Sequence, residues 1–231
     1  MTKFSMFETL MSLPLFKGAS HEQISLFVEK THLSFKNYNP GENIVSESEE
    51  CSRLRCLLSG SMEVVYPLFA GNVLLHETVG AGRFLGVERL FGLDNKFNMT
   101  VSAVERCGIM EFSKSQYLTL LQSNQIFLMN CLNYISRHAQ KCESLIGDAC
   151  FESVLSLFAH IIDSKTFPGS CSIKFESTTV PLIEYLSSFM PVHDDQLKKL
   201  VDRGIIRIVS DYVLEIPSRS QLLNSYHRYD S

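Results

Sequence analysis

The sequence predicts an α+β protein in which a β-barrel of the jelly-roll type, a long central helix and a small helix-turn-helix module follow one another. Three observations predict this order. Short apolar or alternating runs fill residues 33–112, an uninterrupted amphipathic stretch covers 124–146, and two short helical patterns precede a hairpin pattern near the C-terminus. We expect domains at 1–123 and 149–231, joined by the central helix at 124–148.

The composition indicates an ordinary folded protein. Of its 231 residues, 45% are hydrophobic and 20% are charged, and the formal net charge is −4 at pH 7. A negative chain has no global attraction to nucleic acid, so any DNA contact must be local. No apolar run has the ~20 residues that span a membrane, and the N-terminus lacks a basic-then-apolar signal pattern. We therefore expect a cytoplasmic protein with no membrane partner.

The cysteine spacing does not predict a metalloprotein, and the absence of known catalytic motifs does not predict an enzyme. The seven cysteines are scattered and form no CxxC pair, which predicts reduced thiols rather than disulfides or a zinc site. The chain also lacks the GxxxxGK, GxSxG and HExxH patterns. We expect no metal ligands and no catalytic residues.

The barrel prediction rests on many short strands at nearly regular spacing. Turn residues such as Asn39-Pro40-Gly41 and Gly80-Ala81-Gly82 separate them. A short helix is expected at 1–13, a second at 21–30 with Ser20 as N-cap, and a third after the cap Ser113. Residues 86–93 predict a brief helical turn. The predicted strands lie within 44–45, 54–58, 62–66, 73–75, 99–104 and 109–112.

The central stretch carries an apolar stripe whose steps alternate between three and four residues, close to 3.5 residues per turn. No Gly or Pro interrupts it, so a helix of roughly 35 Å is expected. Two interpretations remain open: the stripe packs on its own domain, or it meets a second copy as a dimer seam. The stripe consists of Leu128, Cys131, Leu132, Ile135, Ala139 and Cys142.

The C-terminal region predicts a winged helix-turn-helix. A helix at 151–163 and a strand at 172–175 precede two short helices at 179–187 and 191–203, the second of which stops at Gly204. Runs at 205–209 and 212–216 then predict a hairpin. Two adjacent short helices followed by a small hairpin are typical of this DNA-binding module.

Several fragments, in this order, resemble the CRP/FNR family of bacterial transcription regulators over roughly residues 13–216. They are LPLFKGASHEQISLF, YNPGENIVSESE, RCLLSGSMEVV, GRFLGVERLFG, MTVSAVE, CGIMEFSKSQYLTLL, LIEYLSS and LKKLVDRGIIRI. The resemblance implies a cupin-like cyclic-nucleotide-binding domain, a dimerising central helix and a DNA-binding winged helix. It also implies three partners: double-stranded DNA with a palindromic operator, a second copy of the chain, and RNA polymerase.

The pocket implied by the resemblance departs from the members that bind cyclic AMP. Gly86 keeps the glycine of the phosphate cassette, but Val87 stands where a Glu takes the ribose hydroxyl. Phe97 and Asn98 replace the Arg-Ser pair that neutralises the phosphate, and Cys142 replaces a hydroxyl residue near the base. A buried phosphate needs a fixed cation. We therefore expect no cyclic AMP and no other cofactor, with the pocket either filled or holding an unidentified, less charged effector.

The predicted recognition helix also departs from the family pattern. The family's recognition helix opens with Ser-Arg-Glu and carries a second Arg, which pairs with guanine and phosphate. Here Phe189, Met190 and Pro191 occupy the first three positions and Asp195 the fourth, while Lys198 keeps a basic character. The residues still expected to contact DNA are His193, Gln196, Lys198, Lys199, Arg203 and Arg207.

Two functional readings follow from these departures. From Lys165 onward eight basic and eight acidic residues balance, whereas DNA-binding domains are usually basic on one face. The first hypothesis is a dimeric DNA-binding regulator that does not respond to cyclic AMP. The alternative is a sensor or protein-interaction protein whose winged helix no longer reads DNA.

Overall fold

The structure, a computed structural model, describes residues 6–31, 33–147 and 153–229 and confirms the α+β class. Its helices are α1 Met6–Ser12, α2 His21–Lys30, α3 Lys114–Ser123, α4 Gln125–Gly147, α5 Val154–Lys165, α6 Leu182–Ser187, α7 Asp194–Asp202 and α8 Arg219–Tyr229. Its strands are β1 Ser34–Tyr38, β2 Asn43–Val45, β3 Arg53–Ser59, β4 Ser61–Leu68, β5 Val73–Gly80, β6 Arg83–Leu85, β7 Thr100–Ala103, β8 Cys107–Ser113, β9 Ser172–Ser177, β10 Arg207–Ser210 and β11 Val213–Ile216.

The chain forms two compact units. Unit 1 comprises residues 1–62 and 80–139, and unit 2 comprises 63–79 and 140–231. All six predicted strand runs coincide with or overlap β2, β3, β4, β5, β7 and β8. The unit division differs from the expected domains, because the β4–β5 hairpin groups with the C-terminal residues. The expected boundary at 148/149 lies outside the described residues.

Unit 1 contains an antiparallel sheet in the order β1-β8-β3-β6 and the separate antiparallel pair β2–β7. Aromatic pairs join helix to sheet and helix to helix: the ring centroids of Phe27 on α2 and Phe112 on β8 lie 5.5 Å apart, and those of Phe16 and of Phe127 on α4 lie 5.7 Å apart. Such tilted and edge-on pairs add to the gain from burial. The flanking helices therefore pack on the core of unit 1.

Two predicted caps in unit 1 are confirmed. Ser20 and Ser113 each accept a hydrogen bond from the backbone N–H three residues later, and the side-chain oxygen of the Gln at that position accepts one from the cap's own N–H. These reciprocal bonds satisfy two donors that a helix start otherwise leaves unpaired. Helices α2 and α3 therefore begin where the sequence predicts.

Unit 2 contains a sheet in the order β10-β11-β9-β5-β4. Helices α6 and α7 with the β10–β11 hairpin form the predicted helix-turn-helix and wing. Gly204, with φ of +65°, follows the last residues of α7, a conformation that glycine adopts without steric cost. The stacked rings of Phe158 on α5 and Phe175 on β9, 4.5 Å apart, join the helical and sheet layers.

Several helix starts lie later than predicted, and proline explains one of them. Helix α6 begins at Leu182 with Pro181 as its N-cap, and α7 begins at Asp194 rather than Pro191. Pro181 disfavours the helical region for the residue before it, so α6 turns helical only after the proline. The acidic side chains at the start of α7 then stabilise its N-terminus.

The remaining differences concern helix length. Helix α5 begins at Val154 instead of 151, behind the N-cap Ser153. Residues 86–93 form turns that include an α-turn from Leu90 N–H to the Gly86 carbonyl, without a regular helix. Helix α8 was not predicted, because its sequence is mostly polar and Leu222 is its one fully buried side chain among the described positions.

In the described part of the chain, no helix combines the length and apolarity that crossing a membrane requires.

Candidate effector pocket, dimer stripe and DNA-reading surface

The cassette glycine in unit 1 lies against protein atoms that leave it no space. Gly86 has a φ of +94°, and a Cβ built on it would lie 2.5 Å from Cys51 Sγ and 3.2 Å from Phe97 Cζ. Phe97 and Val87 are 2% and 1% exposed. Side chains of this chain therefore occupy the volume beside the cassette backbone.

The remaining predicted pocket residues fall elsewhere. Asn98 lies in a bend directly after the buried Phe97, and its side chain is exposed to solvent, unlike the buried Phe97 and Val87. The side chain of Cys142 lies outside the part of the chain whose side chains are described.

Phe97 is fixed by backbone pairing. Its N–H donates to the Glu49 carbonyl at 2.9 Å, and its carbonyl accepts from Ser48 N–H at 2.8 Å. Cys51 lies on the same paired segment and is 2% exposed. Burial raises the pKa of the Cys51 thiol to about 11, so it stays protonated and packs as a small apolar group.

Arg55 brings a cation to this region, and its charge is already balanced. Its guanidinium lies 5.8 Å from the centre of the Phe97 ring. It donates to Glu49 at 2.6 Å and to Glu111 at 3.3 Å, and Lys36 lies 3.0 Å from the other Glu111 oxygen. Burial lowers the pKa of Arg55, but the bonds to the two carboxylates outweigh it and the net shift is upward. A phosphate would have to compete with two carboxylates for this cation.

Sequence reasoning missed a link between the cassette turn and α4. Tyr134 donates its hydroxyl hydrogen bond to Glu88 at 3.0 Å. Burial, together with the Glu88 charge, raises the pKa of Tyr134 well above its usual value, so the phenol remains the donor. Arg89, the next residue along the chain, pairs with Asp94. The missed signal was a tyrosine on the polar side of the stripe.

The apolar stripe of α4 divides into two faces. Leu128, Leu132 and Ile135 are 40%, 48% and 37% exposed, and Ala139 is also exposed one step further on. Their spacing of four, three and four residues forms one continuous line on the helix surface. Cys131 is 3% exposed and packs inside unit 1, so including it in an outward stripe was wrong.

All six predicted DNA contacts are exposed. His193 precedes the first residue of α7, and Gln196, Lys198 and Lys199 lie on the helix, whose other face buries Leu197 and Leu200. Arg203 follows the helix. The structure therefore presents five of these side chains to solvent from one short helix and its ends, and Arg207 from strand β10.

The charge of this surface differs from that of most DNA-binding domains, which are basic on the face that contacts DNA. Helix α7 carries three aspartates and two lysines, which is 2 − 3 = −1. Asp194 and Asp195 each stand four residues before a lysine, the spacing at which helical ion pairs form. On the wing, Arg207 is bound to Glu215 through both Nε and a terminal nitrogen. Much of the local positive charge is thus offset by neighbours.

The described residues contain no group of three or more His, Cys, Asp or Glu side chains arranged to hold a metal ion.

Comparison with known proteins shows that residues 35–124 match the family model of the cyclic nucleotide-binding domain. No curated protein matches the chain at a significant level.

Among solved structures, the Thermus thermophilus catabolite activator protein matches with 17% identity and a TM-score of 0.52, over 94% of this chain and 100% of that chain. The sensor domain of the transcriptional regulator DNR from Pseudomonas aeruginosa matches with 20% identity and a TM-score of 0.45, over 57% of this chain and 91% of that chain. Residues 35–124 therefore match the cyclic nucleotide-binding domain family, and the chain has the fold of the Thermus thermophilus catabolite activator protein.

Proposed function

We propose that the protein is a dimeric, DNA-binding transcription regulator of the CRP/FNR type whose sensor pocket is filled by its own side chains and does not take cyclic AMP. The observation that supports a filled pocket without cyclic AMP is the packing at Gly86, where Cys51 Sγ and the Phe97 ring occupy the space beside the backbone of Gly86. A cyclic phosphate there would be buried against an aromatic ring, and desolvating an anion without a dedicated cation costs several kcal/mol or more.

Calorimetric titration of the purified chain with cyclic AMP and cyclic GMP tests this proposal. The expected result is no binding at micromolar concentrations. Saturable binding with a Kd at or below the micromolar range would overturn it, because the pocket would then have to open around Gly86 and admit the phosphate.

The exposed stripe on α4 supports the dimer. A line of Leu128, Leu132, Ile135 and Ala139 is the narrow apolar seam through which two helices associate. In a two-fold dimer of this fold, the recognition helices reach half-sites about one DNA turn apart. The exposed Lys198 and Lys199 on α7, with Arg203 after it, are the groups expected to contact that DNA.

Selection from a genomic fragment library tests DNA reading. We expect the wild-type chain at about 50 mM salt to enrich a palindromic site, with enrichment lost in Lys198→Ala and retained in Lys114→Ala, which removes an exposed lysine from unit 1. Equal loss in both variants would indicate general electrostatic attraction rather than reading by α7.

A second candidate function rests on the net charge of −1 on α7 and the Arg207–Glu215 pair. In this alternative, the winged helix has been kept as a sensor or protein-contact module and no longer reads DNA. Failure of the wild-type chain to enrich any fragment, with the dimer intact, would favour this alternative over DNA reading.

A further inference from the structure

Helix α8, which follows the wing, is anchored on α5 within unit 2. Its Leu222 is 0% exposed. At the start of the helix, Arg219 donates from Nε to Thr166 Oγ1 at 3.1 Å and from a terminal nitrogen to an Asp163 carboxylate oxygen at 3.0 Å. Thr166 is the C-cap residue of α5. Apolar burial and a charge-assisted hydrogen bond thus fix the first turn of α8 on the end of α5.

The same turn of α8 reaches the C-terminal end of α7. Gln221 donates from Nε2 to the backbone carbonyl oxygen of Arg203, the C-cap residue of α7, at 3.1 Å. Carbonyl groups at a helix C-terminus have no partner within the helix, so a donor from another element can satisfy them. The backbone N–H of Gln221 donates to Ser218 Oγ at 3.2 Å, which places Gln221 in the first turn of α8.

Helix α7 is short, so its orientation is sensitive to contacts at its ends. It spans nine residues and buries Leu197 and Leu200 on its inner face. Directly after it, the Gly204 N–H donates to the Val201 carbonyl at 2.8 Å as the chain leaves the helix. Helix ends fray readily, because their last turn has fewer hydrogen bonds. A bond from α8 at this end therefore restrains the turn that carries Arg203.

The restrained residue is one of the cations expected to contact DNA. The side chain of Arg203 is exposed, while its backbone carbonyl accepts from Gln221. Ordering a long side chain costs conformational entropy, and a fixed backbone limits the positions from which the guanidinium has to be ordered. Holding the carbonyl of Arg203 therefore prepares its guanidinium for a phosphate.

We propose that Gln221 is a positioning residue of the DNA-binding surface: from a helix anchored on α5, it holds the backbone of Arg203 so that the guanidinium meets a phosphate of duplex DNA. The proposal rests on the DNA-binding function proposed above and adds α8 to the elements on which that function depends. Each phosphate contact contributes about one to the slope of log affinity against log salt concentration, so the contact of Arg203 has its own readout.

Hydrogen exchange followed by mass spectrometry on the full-length chain tests the hold on α7 without any DNA. Gln221→Met keeps the length of an exposed side chain and removes its donor. Asn224→Leu makes a comparable change at an exposed position of α8 three residues further along and is the matched control. We expect Gln221→Met to speed exchange about threefold in residues 200–206, and the control to leave it unchanged. Unchanged exchange in Gln221→Met would overturn the proposal.

Affinity for the selected palindromic site, measured with and without the arginine, tests whether Gln221 acts through Arg203. Arg203→Ala should lower the salt slope by about one. Gln221→Met should weaken binding about threefold in the wild-type background and leave it unchanged in the Arg203→Ala background, because residues that act as one unit do not have additive effects. Equal weakening in both backgrounds would overturn the positioning role.

Failure of this proposal is distinguishable from failure of the proposed function. A wild-type chain that enriches no fragment would reject DNA binding, and the positioning role of Gln221 with it. Wild-type binding to a palindromic site, combined with additive losses in the two variants, would reject the positioning role and leave DNA binding in place.

Discussion

At the scale of single residues, Phe97 decides what the sensor domain can hold. In place of a cation for a phosphate, an apolar ring is 2% exposed beside the cassette glycine. The nearby cation, Arg55, is occupied by Glu49 and Glu111. Ion pairs with buried partners are costly to break, because each partner would be left as an uncompensated charge. The site is therefore chemically closed to an anion as well as sterically filled.

The tight packing at Gly86 predicts a large loss of stability when a methyl group is added. Gly86→Ala should lower the free energy of unfolding by about 2–4 kcal/mol, because it adds a clash with Cys51 Sγ to the strain of a positive φ. Gly41→Ala is the control: its φ is +84°, but nothing lies within 4 Å of the added Cβ, so about 1 kcal/mol is expected. Urea denaturation measures both, and equal losses would contradict the filled pocket.

Glu77 predicts a pH dependence of stability. Burial raises its pKa from 4.5 to about 7, against the opposing effects of its hydrogen-bond donors and of Arg219. The folded chain therefore holds this proton more tightly than the unfolded chain. The resulting stabilisation is complete below about pH 4.5 and is lost as pH rises toward 7, by up to roughly 3 kcal/mol.

The measurement compares wild type with Glu77→Gln by chemical denaturation between pH 5 and 8. The wild-type free energy of unfolding should fall relative to that of the variant as pH rises through this range. Glu184→Gln removes an exposed carboxylate of α6 and should keep the wild-type slope. A difference between wild type and Glu77→Gln that does not vary with pH would refute the titration.

At the scale of elements, α4 shows how one helix serves two contacts. Phe127 and Cys131 are buried in unit 1, while Leu128, Leu132 and Ile135 remain exposed. With 3.6 residues per turn, neighbours in sequence point about 100° apart, so one apolar segment supplies an inward and an outward face. Surface exposure of three large aliphatic side chains in a row is typical of an interaction site.

The outward face predicts that a charge on it breaks the proposed dimer. Leu132→Glu should raise the dimer dissociation constant by about 100-fold or more, because each dimer would bury two carboxylates in place of two leucines. Asn133→Glu, on an exposed position of α4 that points about 100° away from Leu132, is the control and should leave assembly unchanged. Sedimentation equilibrium measures both variants, and a Leu132→Glu chain that remains dimeric would exclude this seam.

At the scale of the whole molecule, charge determines how strongly the chain is expected to bind DNA. The chain carries a formal charge of −4, and α7 itself sums to −1. Affinity for duplex DNA comes largely from neutralised phosphates and released counterions. A surface with few unopposed cations should therefore bind non-specific DNA weakly and show a shallow dependence on salt.

Neutralising the two acidic side chains at the start of α7 should strengthen this weak binding to duplex DNA. Asp194→Asn with Asp195→Asn is expected to strengthen duplex binding about tenfold or more at 50 mM salt, because the repulsion between α7 and the phosphates falls. Glu22→Gln with Glu29→Gln makes the same change in net charge on exposed positions of α2. Fluorescence anisotropy compares the two pairs, and equal gains would show that total charge, not α7, controls binding.

Local patterns were enough to predict most of the elements. Alternating apolar runs predicted six strands, the N-cap serines Ser20 and Ser113 predicted the starts of α2 and α3, and the two short helices before a hairpin predicted the winged helix. These features depend on residues a few positions apart. The start of α6 was displaced because Pro181 constrains the residue before it as well as itself.

The sequence by itself determined the class of the protein, the order of its elements and the absence of a phosphate-binding pair at Phe97 and Asn98. The tertiary structure alone decided that Phe97 fills the space beside Gly86 while Asn98 faces solvent, and that Cys131 turns inward. It also decided that the hairpin at 63–79 joins the winged-helix sheet. Strand pairing and burial between residues about 100 positions apart depend on the closed shape of the core, which no local period encodes.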